Sequence, residues 1–434
     1  MAIHGEVLIA GSGLAASAAA LRLLDIGIRC VLLRRTGPGL GGAESLPESV
    51  CAILAVLRAD ELLQRAKAVR QIGFENAWED PEIVAGGTYL HVDRAQLANE
   101  ALTLAMARGA NVISCPSLPV LKENDEGVVV KLSGRNRKFC AAVDATGRAA
   151  RWSRPVHRAG SQVADIYQLP HGSATARGRI SRLSQGWCYR IGLPTTITVG
   201  IVRPFSPGER SMLDAEVRER LHLASVQASR LGRRPAFMQW CAAPMQGRRA
   251  AIGDAALAMD PRAGGGARFA LASALAASAA IQSMLEERSG SLAEKYYCDF
   301  VASARLRHAR FVDENKIPRG ARPTSMSTQQ ASLTPGAGAS GPSALPNRVR
   351  FAARIVPTEL TIDGTIRSGE AIALPDGGRV RWLGQFDLML MRKLSKHLMP
   401  LSDLVTLLQS NGITEKQALQ IIAWCLDHEV LSSA

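Results

Sequence analysis

Residues 6–16 read EVLIAGSGLAA, and the order of chemistry within this stretch decides the fold. A short apolar run of strand type, residues 6–10, ends in Gly11-Ser12-Gly13-Leu14-Ala15-Ala16, and residues 17–24 then have helical composition. Gly11 permits a tight turn and Gly13 lets the backbone approach a pyrophosphate. Ala16 supplies the small residue that close helix-on-strand packing requires, with Ser12 and Ala15 in the same turn. The free N–H groups at the helix start would face the phosphates. Gly27 and a second strand over 29–33 complete a β-α-β unit of about thirty residues, the size a dinucleotide site needs. That strand runs into Arg34-Arg35 where an acidic residue would hold ribose hydroxyls. The two arginines are placed to contact the ribose, to stack on adenine, or to favour a phosphorylated ribose.

Outward from this unit, 434 residues predict two or three folding units, and 47% apolar with 21% charged residues excludes wholesale disorder and a polytopic membrane protein. The formal charge of +14 favours acidic partners, but the basic residues are scattered, with no unbroken Lys/Arg block, which makes nucleic acid a minor expectation. Eight cysteines lie far apart without a CxxC, so no metal site is expected, and scattered thiols fit a reducing, cytoplasmic setting. Residues 7–24 lack the basic flank of an export signal, and 269–285, interrupted by serines and bordered by Arg268, read as a buried helix and not a membrane span.

The second chemical signal lies far downstream. Residues 249–252 read as a strand entering the turn Gly253-Asp254, followed by Met259-Asp260-Pro261, the run Gly264-Gly265-Gly266, and a long alanine-rich helix. Asp254 can face the hydroxyls of a ribityl chain, and a glycine run at a helix start offers N–H groups and a partial positive field to a flavin carbonyl. The segment GDAALAMDPRAGGG resembles the flavin-binding GD motif of FAD-dependent monooxygenases and tryptophan-halogenase-like proteins. The resemblance implies FAD as cofactor, its pyrophosphate on Gly11, Gly13 and Ala16, and its ribityl side near Gly253 and Asp254, with Pro261 and Gly264 to Gly266 toward the ring. It also favours ribose or adenine contact for Arg34 and Arg35.

Three more segments resemble the same family in order, from about residue 5 to 316. They are Gly42-Ala43-Glu44-Ser45-Leu46-Pro47, like the GESLP stretch, then Val92-Asp93-Arg94-Ala95-Gln96-Leu97, like DRxxLD, and Val143-Asp144-Ala145-Thr146-Gly147-Arg148, like the strand-end DATG. The resemblance places Glu44, Ser45, Arg94 and Gly147 in the cofactor shell. Between 151 and 248 short β-type runs predict an antiparallel sheet roofing the flavin ring. There Trp187 and Tyr189 resemble, in degenerate form, the halogenase WxWxIP stretch, or are core aromatics of an ordinary strand. The halogenase lysine has no counterpart in residues 68–78, although Lys67 lies just upstream.

Residues 317–347 are rich in Pro, Gly, Ser and Thr and read as a linker. In 348–434 two strand-like runs, 349–356 and 359–362, are expected to pair. Apolar spacing over 386–393, 401–410 and 414–428 predicts three helices. Such a module resembles small winged-helix or peptide-recognition units; a plain helical cap, peptide docking and DNA reading are its three readings.

The expected fold is α/β: a Rossmann-like FAD-binding domain (1–150 and 249–316) with an inserted, mainly antiparallel substrate domain (151–248 with part of 60–95), a linker and a small, mainly helical C-terminal module. The expected activity is hydroxylation, through a flavin hydroperoxide, of a tryptophan or other aromatic side chain in a protein or peptide. The resemblance to monooxygenases that mature quinone-cofactor enzymes implies a role in tryptophylquinone biogenesis. Dioxygen and NAD(P)H or an external reductant are the implied co-reactants, with no catalytic acid or base demanded of the protein. The rivals are a flavin halogenase, a flavin reductase of prenyl chains, and a flavin-bearing DNA-binding regulator.

Overall fold

The computed structural model describes residues 5–36, 41–78, 83–124, 126–170, 177–208, 211–223, 227–287, 290–314, 330–331, 346–362, 365–375, 379–383 and 386–433. The chain divides into two compact units, Met1–Arg322 and Pro323–Ala434. Apart from residues 330–331 and 346–347, the expected linker lies outside the described residues.

The first unit is built on a six-stranded sheet in the order Met245–Gln246, Arg249–Ala251, Ala141–Asp144, Glu6–Ala10, Arg29–Arg35, Asn111–Cys115. Every pairing except the first is parallel. Val7, Leu8, Ile9, Val31, Leu32 and Leu33 are all fully buried, as unbroken apolar strands covered on both faces must be. One cover is helical: Leu14–Asp25 packs against Gly266–Glu287 and Arg94–Ala107. The other is the antiparallel sheet Leu121–Asn124, Gly127–Leu132, Arg135–Phe139, whose Val128, Val130 and Phe139 meet Leu8, Val31 and Leu33. The helix Gly266–Glu287 is long and apolar enough to cross a membrane, but 72% of its most apolar window is buried inside the unit. It is core.

An eight-stranded sheet runs Ser229–Pro235, Gln162–Pro170, Thr196–Pro204, Trp187–Gly192, Arg179–Arg182, Val69–Ala77, Ile83–Asp93, Ala43–Pro47. Six of its seven strand pairings are antiparallel; across the seventh, Arg179–Arg182 runs parallel to Val69–Ala77. The period of two sorts its side chains onto two faces. Trp187, Ile166 and Val202 share one face with Trp78, Ile180, Tyr189 and Leu231. Tyr167, Cys188, Val199 and Ile201 lie on the other, covered by Val217 and Leu221 at the helix Ala215–Arg220.

In the second unit the helices Met389–Leu394, Leu401–Ser410 and Glu415–Asp427 follow the expected apolar spacing. Thr414 and Gln417 form a capping box at the last of these. The expected pairing of 349–356 with 359–362 does not occur. Arg348–Phe351 pairs instead with Met399–Pro400 and Leu431–Ser433, while Ile355–Ile362 pairs with Thr365–Ala373 in register Ile362↔Thr365. The dipeptide between them in sequence, Asp363-Gly364, is a hairpin signal stronger than the weak alternation that suggested the other pairing.

Candidate functional site

The two glycine turns, some 240 residues apart in sequence, meet. A Cβ on Gly253 (φ +56°) would lie 2.9 Å from Ala15 Cβ, so the GD turn rests directly on the first helix, where only a small residue fits. Ser273 Oγ on the long helix accepts the Gly253 N–H at 2.9 Å, and Tyr297 Oη, wholly buried, donates to Ala251 O at 2.5 Å. Gly11 (φ +126°) is pressed against the Ala145 carbonyl, and Ala145 N–H in turn bonds Ala10 O at 2.8 Å. Three of the quoted motifs thus share one end of the parallel sheet. Arg34 and Arg35 stand exposed at that same end, since Leu33 is in register with Ala10 and accepts from Gly11 N–H.

Asp144, 2% exposed, holds its own turn together, accepting from Thr146 N–H, Thr146 Oγ1 and Trp152 N–H at 2.6–3.0 Å. Gly147 (φ +63°) then opens a 3-10 turn that carries Arg148 inward. Arg148 donates to Phe237 O (2.6 Å) and Met259 O (3.1 Å), and its Nε lies 3.9 Å from Asp254. Glu44, on the strand Ala43–Pro47, lies 3.9 Å from Arg94. Asp93 caps the helix that Arg94 opens, accepting Gln96 N–H, and Arg94 N–H donates to Gly42 O at 3.0 Å. Arg234, from the edge strand of the large sheet, donates to Gly41 O at 2.5 Å.

Charge unites these groups. The Glu44 carboxylate, opposed by burial and aided by Asp254 and Tyr189, holds Arg94 above the ordinary guanidinium range. Burial lowers Arg148, with Asp254 opposing it, and burial together with Arg94 lowers Arg234. Guanidinium groups stay charged regardless. Arg94, Arg148 and Arg234 thus gather with Glu44 and Asp254 at the seam between the nucleotide fold and the Tyr189 face of the sheet.

The residues fit a flavin dinucleotide on four counts. The helix Leu14–Asp25 has no side-chain cap, so its first N–H groups await an acceptor. A Cβ on Gly13 would meet nothing within 4 Å, which leaves room for phosphates against the backbone. Ser45 Oγ is buried with no hydrogen-bond partner. The gathered guanidinium groups of Arg94, Arg148 and Arg234 suit an anionic diphosphate. Gly264 (φ +60°) ends the turn Pro261–Ala263, and Gly266 starts the long helix with open space beside it. No group of metal-ligating side chains occurs among the described residues.

Sequence reading missed Arg234 and His308, and quoted Arg148 without assigning it. None carried a local signal, because each reaches the site from a remote element. His308, 5% exposed, accepts Asp260 N–H on Nε2 at 2.8 Å and so is neutral where it latches the Asp260–Pro261 turn. Burial, against the pull of Asp260, pushes its pKa from 6.5 down to about 4. The unfolded chain therefore takes up this proton near 6.5 while the folded chain resists until about 4. Stability is complete above the upper value and falls as pH drops through the window, by roughly 1.4 kcal/mol per pH unit. Thermal unfolding followed from pH 7 to pH 5 should register that loss, and His308→Asn should flatten it; an equal slope in the variant would refute the assignment.

The Tyr189 face is aromatic. Trp187 and Tyr189 rings stand 5.7 Å apart, Trp78 packs in the same cluster, and Trp187, 3% exposed, has an indole N–H with no partner. Lys67 is exposed and, with φ +53°, closes the turn after the short helix Leu62–Arg65. The strand Val69–Ala77 itself carries no lysine.

No family model matches the chain, and no curated protein matches it in sequence. Solved structures do. A peptidyl tryptophan dihydroxylase, QhpG, essential for tryptophylquinone cofactor biogenesis, superposes with a TM-score of 0.66 at 18% identity, over 98% of this chain and 99% of its own. The flavin-dependent halogenase CmlS does so at 0.72 and 15%, over 98% and 95%. The flavin-dependent brominase Bmp2 gives 0.61 and 19%, over 72% of this chain and 88% of its own. The fold of this chain is that of the flavin-dependent hydroxylases and halogenases, a Rossmann-like nucleotide-binding sheet joined to a large β-sheet.

Proposed function

We propose that the protein is an FAD-dependent monooxygenase that hydroxylates a tryptophan, or another aromatic side chain, of a protein or peptide in the biogenesis of a tryptophylquinone. The observation that carries this reading is the meeting of the Gly11 and Gly253 turns, with the lysine-free strand Val69–Ala77 in the adjoining sheet. FAD, once reduced, supplies activation of dioxygen. Gly11, Ser12, Gly13, Ala15 and Ala16 would hold the pyrophosphate, Gly253 and Asp254 the ribityl side, and Gly264 to Gly266 the ring edge. Arg94, Arg148 and Arg234 would offset the negative charge. Half-buried Trp78 and Tyr189, packed against the buried Trp187, would exclude water and stack an electron-rich ring, which is what oxygen transfer to an aromatic carbon requires of the protein.

Likeness over nearly the full length to a hydroxylase of peptidyl tryptophan supports the substrate class. NAD(P)H, docking transiently, or an external reductase would supply electrons, and the C-terminal unit would dock the peptide. A cytoplasmic setting suits the eight free cysteines. The test is to reconstitute the full chain with FAD, add reductant, dioxygen, chloride and bromide, and weigh tryptophan-containing peptides. Gain of oxygen atoms is expected. Gain of halogen would transfer the chain to halogenation, and unchanged peptides across a tryptophan, tyrosine and phenylalanine set would end the proposal.

A further inference from the structure

At the end of the strand Arg179–Arg182 the large sheet stops, and a cavity of about 340 Å³ opens, lined by Ala77, Trp78, Arg182, Leu183, Ser184, Glu216 and Arg220. Its charge is unusual in one respect. Most arginines of this chain are spoken for by a carboxylate or a carbonyl, yet among the described residues neither the Arg182 nor the Arg220 guanidinium makes a hydrogen bond or ion pair. The one acid present does not quench them: Glu216 accepts Ser184 N–H at 2.7 Å and Ser184 Oγ–H at 2.9 Å. Two guanidinium groups and one committed carboxylate therefore line the same hollow. An incoming carboxylate would find both a fork of donors and uncompensated positive charge.

The cavity also adjoins the aromatic face. Trp78 lines it and packs in the cluster of Trp187 and Tyr189. Arg182 is the cross-strand partner of Trp187, so its Cβ lies within about 5.5 Å of that residue's. Successive residues of an extended peptide advance by about 3.3 Å. A side chain held at Arg182 and one lying against Trp78, which lines the same cavity, would then belong to residues close together in one strand of substrate.

We infer that this cavity binds the carboxylate of an acidic residue that flanks the target aromatic residue in the peptide substrate. The inference rests on the peptide reading above and adds the sequence context that the enzyme selects. A net charge of +14 agrees in sign, and it would draw such peptides at low salt.

The experiment is fluorescence anisotropy on the FAD-loaded full chain. The probes are a labelled tryptophan peptide flanked by glutamates, its glutamine counterpart, and the same pair presented to the double variant Arg182→Gln/Arg220→Gln. Both side chains are exposed and unbonded, so the variant should fold and keep its flavin. The glutamate peptide is expected to bind wild type at least about tenfold tighter than the glutamine peptide, and the double variant should bring the two within about twofold. A preference that persists in the variant, or none in wild type, overturns the inference. So does a single-stranded oligonucleotide that displaces the peptide from wild type but not from the variant, since the cavity would then be a phosphate site. Acidic preference lost in the variant, without oxygen gain on any peptide, would uphold the cavity's role while removing the monooxygenase reading.

Discussion

Gly11→Ala protein is expected to purify colourless and to stay so after incubation with FAD. At φ +126° an added Cβ would stand 2.4 Å from Ala145 O and 2.9 Å from Ala145 C. Those are backbone atoms, and they cannot swing aside. Ala145 is pinned by its own bond to Ala10 O, and Ile252 N–H bonds Asp144 O beside it. The turn must shift as a whole, away from the position in which the first helix presents its N–H groups. Backbone strain and displacement together cost on the order of 2–4 kcal/mol, enough to weaken flavin binding by roughly a hundredfold or more and to lower the melting temperature of the apoprotein.

Gly13→Ala is the matched control. Gly13 has φ −82° and nothing within 4 Å of a would-be Cβ, so the apoprotein should melt as wild type does. Flavin retention should nonetheless fall, because the methyl group would occupy the space assigned to the pyrophosphate. Absorbance near the flavin band and a thermal melt, taken on both variants, separate the roles. A yellow Gly11→Ala protein of unchanged stability would contradict the geometry, and a yellow Gly13→Ala protein would contradict the cofactor placement.

Glu75→Leu should destabilise the large sheet by about 3–5 kcal/mol. Arg179 and Arg190, each with a side chain 3% exposed, both reach Glu75 Oε2, at 3.3 and 3.2 Å. They also donate to Arg220 O (2.7 Å) and Leu221 O (2.6 Å), which are the last carbonyls of the helix Ala215–Arg220 and its cap. The two cations therefore fasten that helix to the sheet, and the helix in turn covers Val199 and Ile201 through Val217 and Leu221. Without the carboxylate, the two buried guanidinium groups lose the acceptor they share and repel each other at close range. Replacing all three charges by Leu and Met should recover part of the loss, though not all, because the helix carbonyls would remain without donors. Denaturant melts of the single and triple variants decide this; a single variant within about 0.5 kcal/mol of wild type would show the network to be idle.

What was legible in advance follows a rule of range. The turn at Gly11–Ala16, the GD turn, the strand-end Asp144 and the capped helix at Thr414 are each made by a few contiguous residues, and backbone sterics and local hydrogen bonds leave their marks in residue type. The apolar strands beside them were equally plain, because parallel strands buried on both faces must be apolar throughout. Pairing was less so. The weak alternation of 349–356 suggested a partner in 359–362, whereas burial in the folded unit joined Arg348–Phe351 to Met399–Pro400 and Leu431–Ser433. Edge and register choices of this kind depend on which remote face needs covering.

The site divides along the same line. From its sequence alone the chain declared two glycine turns with the conformational freedom and helix starts that a dinucleotide needs, since those properties reside in single residues and their immediate neighbours. Folding alone decided that Gly253 comes to rest on Ala15, that Arg148 and Arg234 join Arg94 against Glu44 and Asp254, and that His308 latches the Asp260 turn. Folding alone also left Arg182 and Arg220 together and unpaired in one hollow. Charges act across space without regard to chain order, so their sum at any point exists only once the strands have been laid side by side.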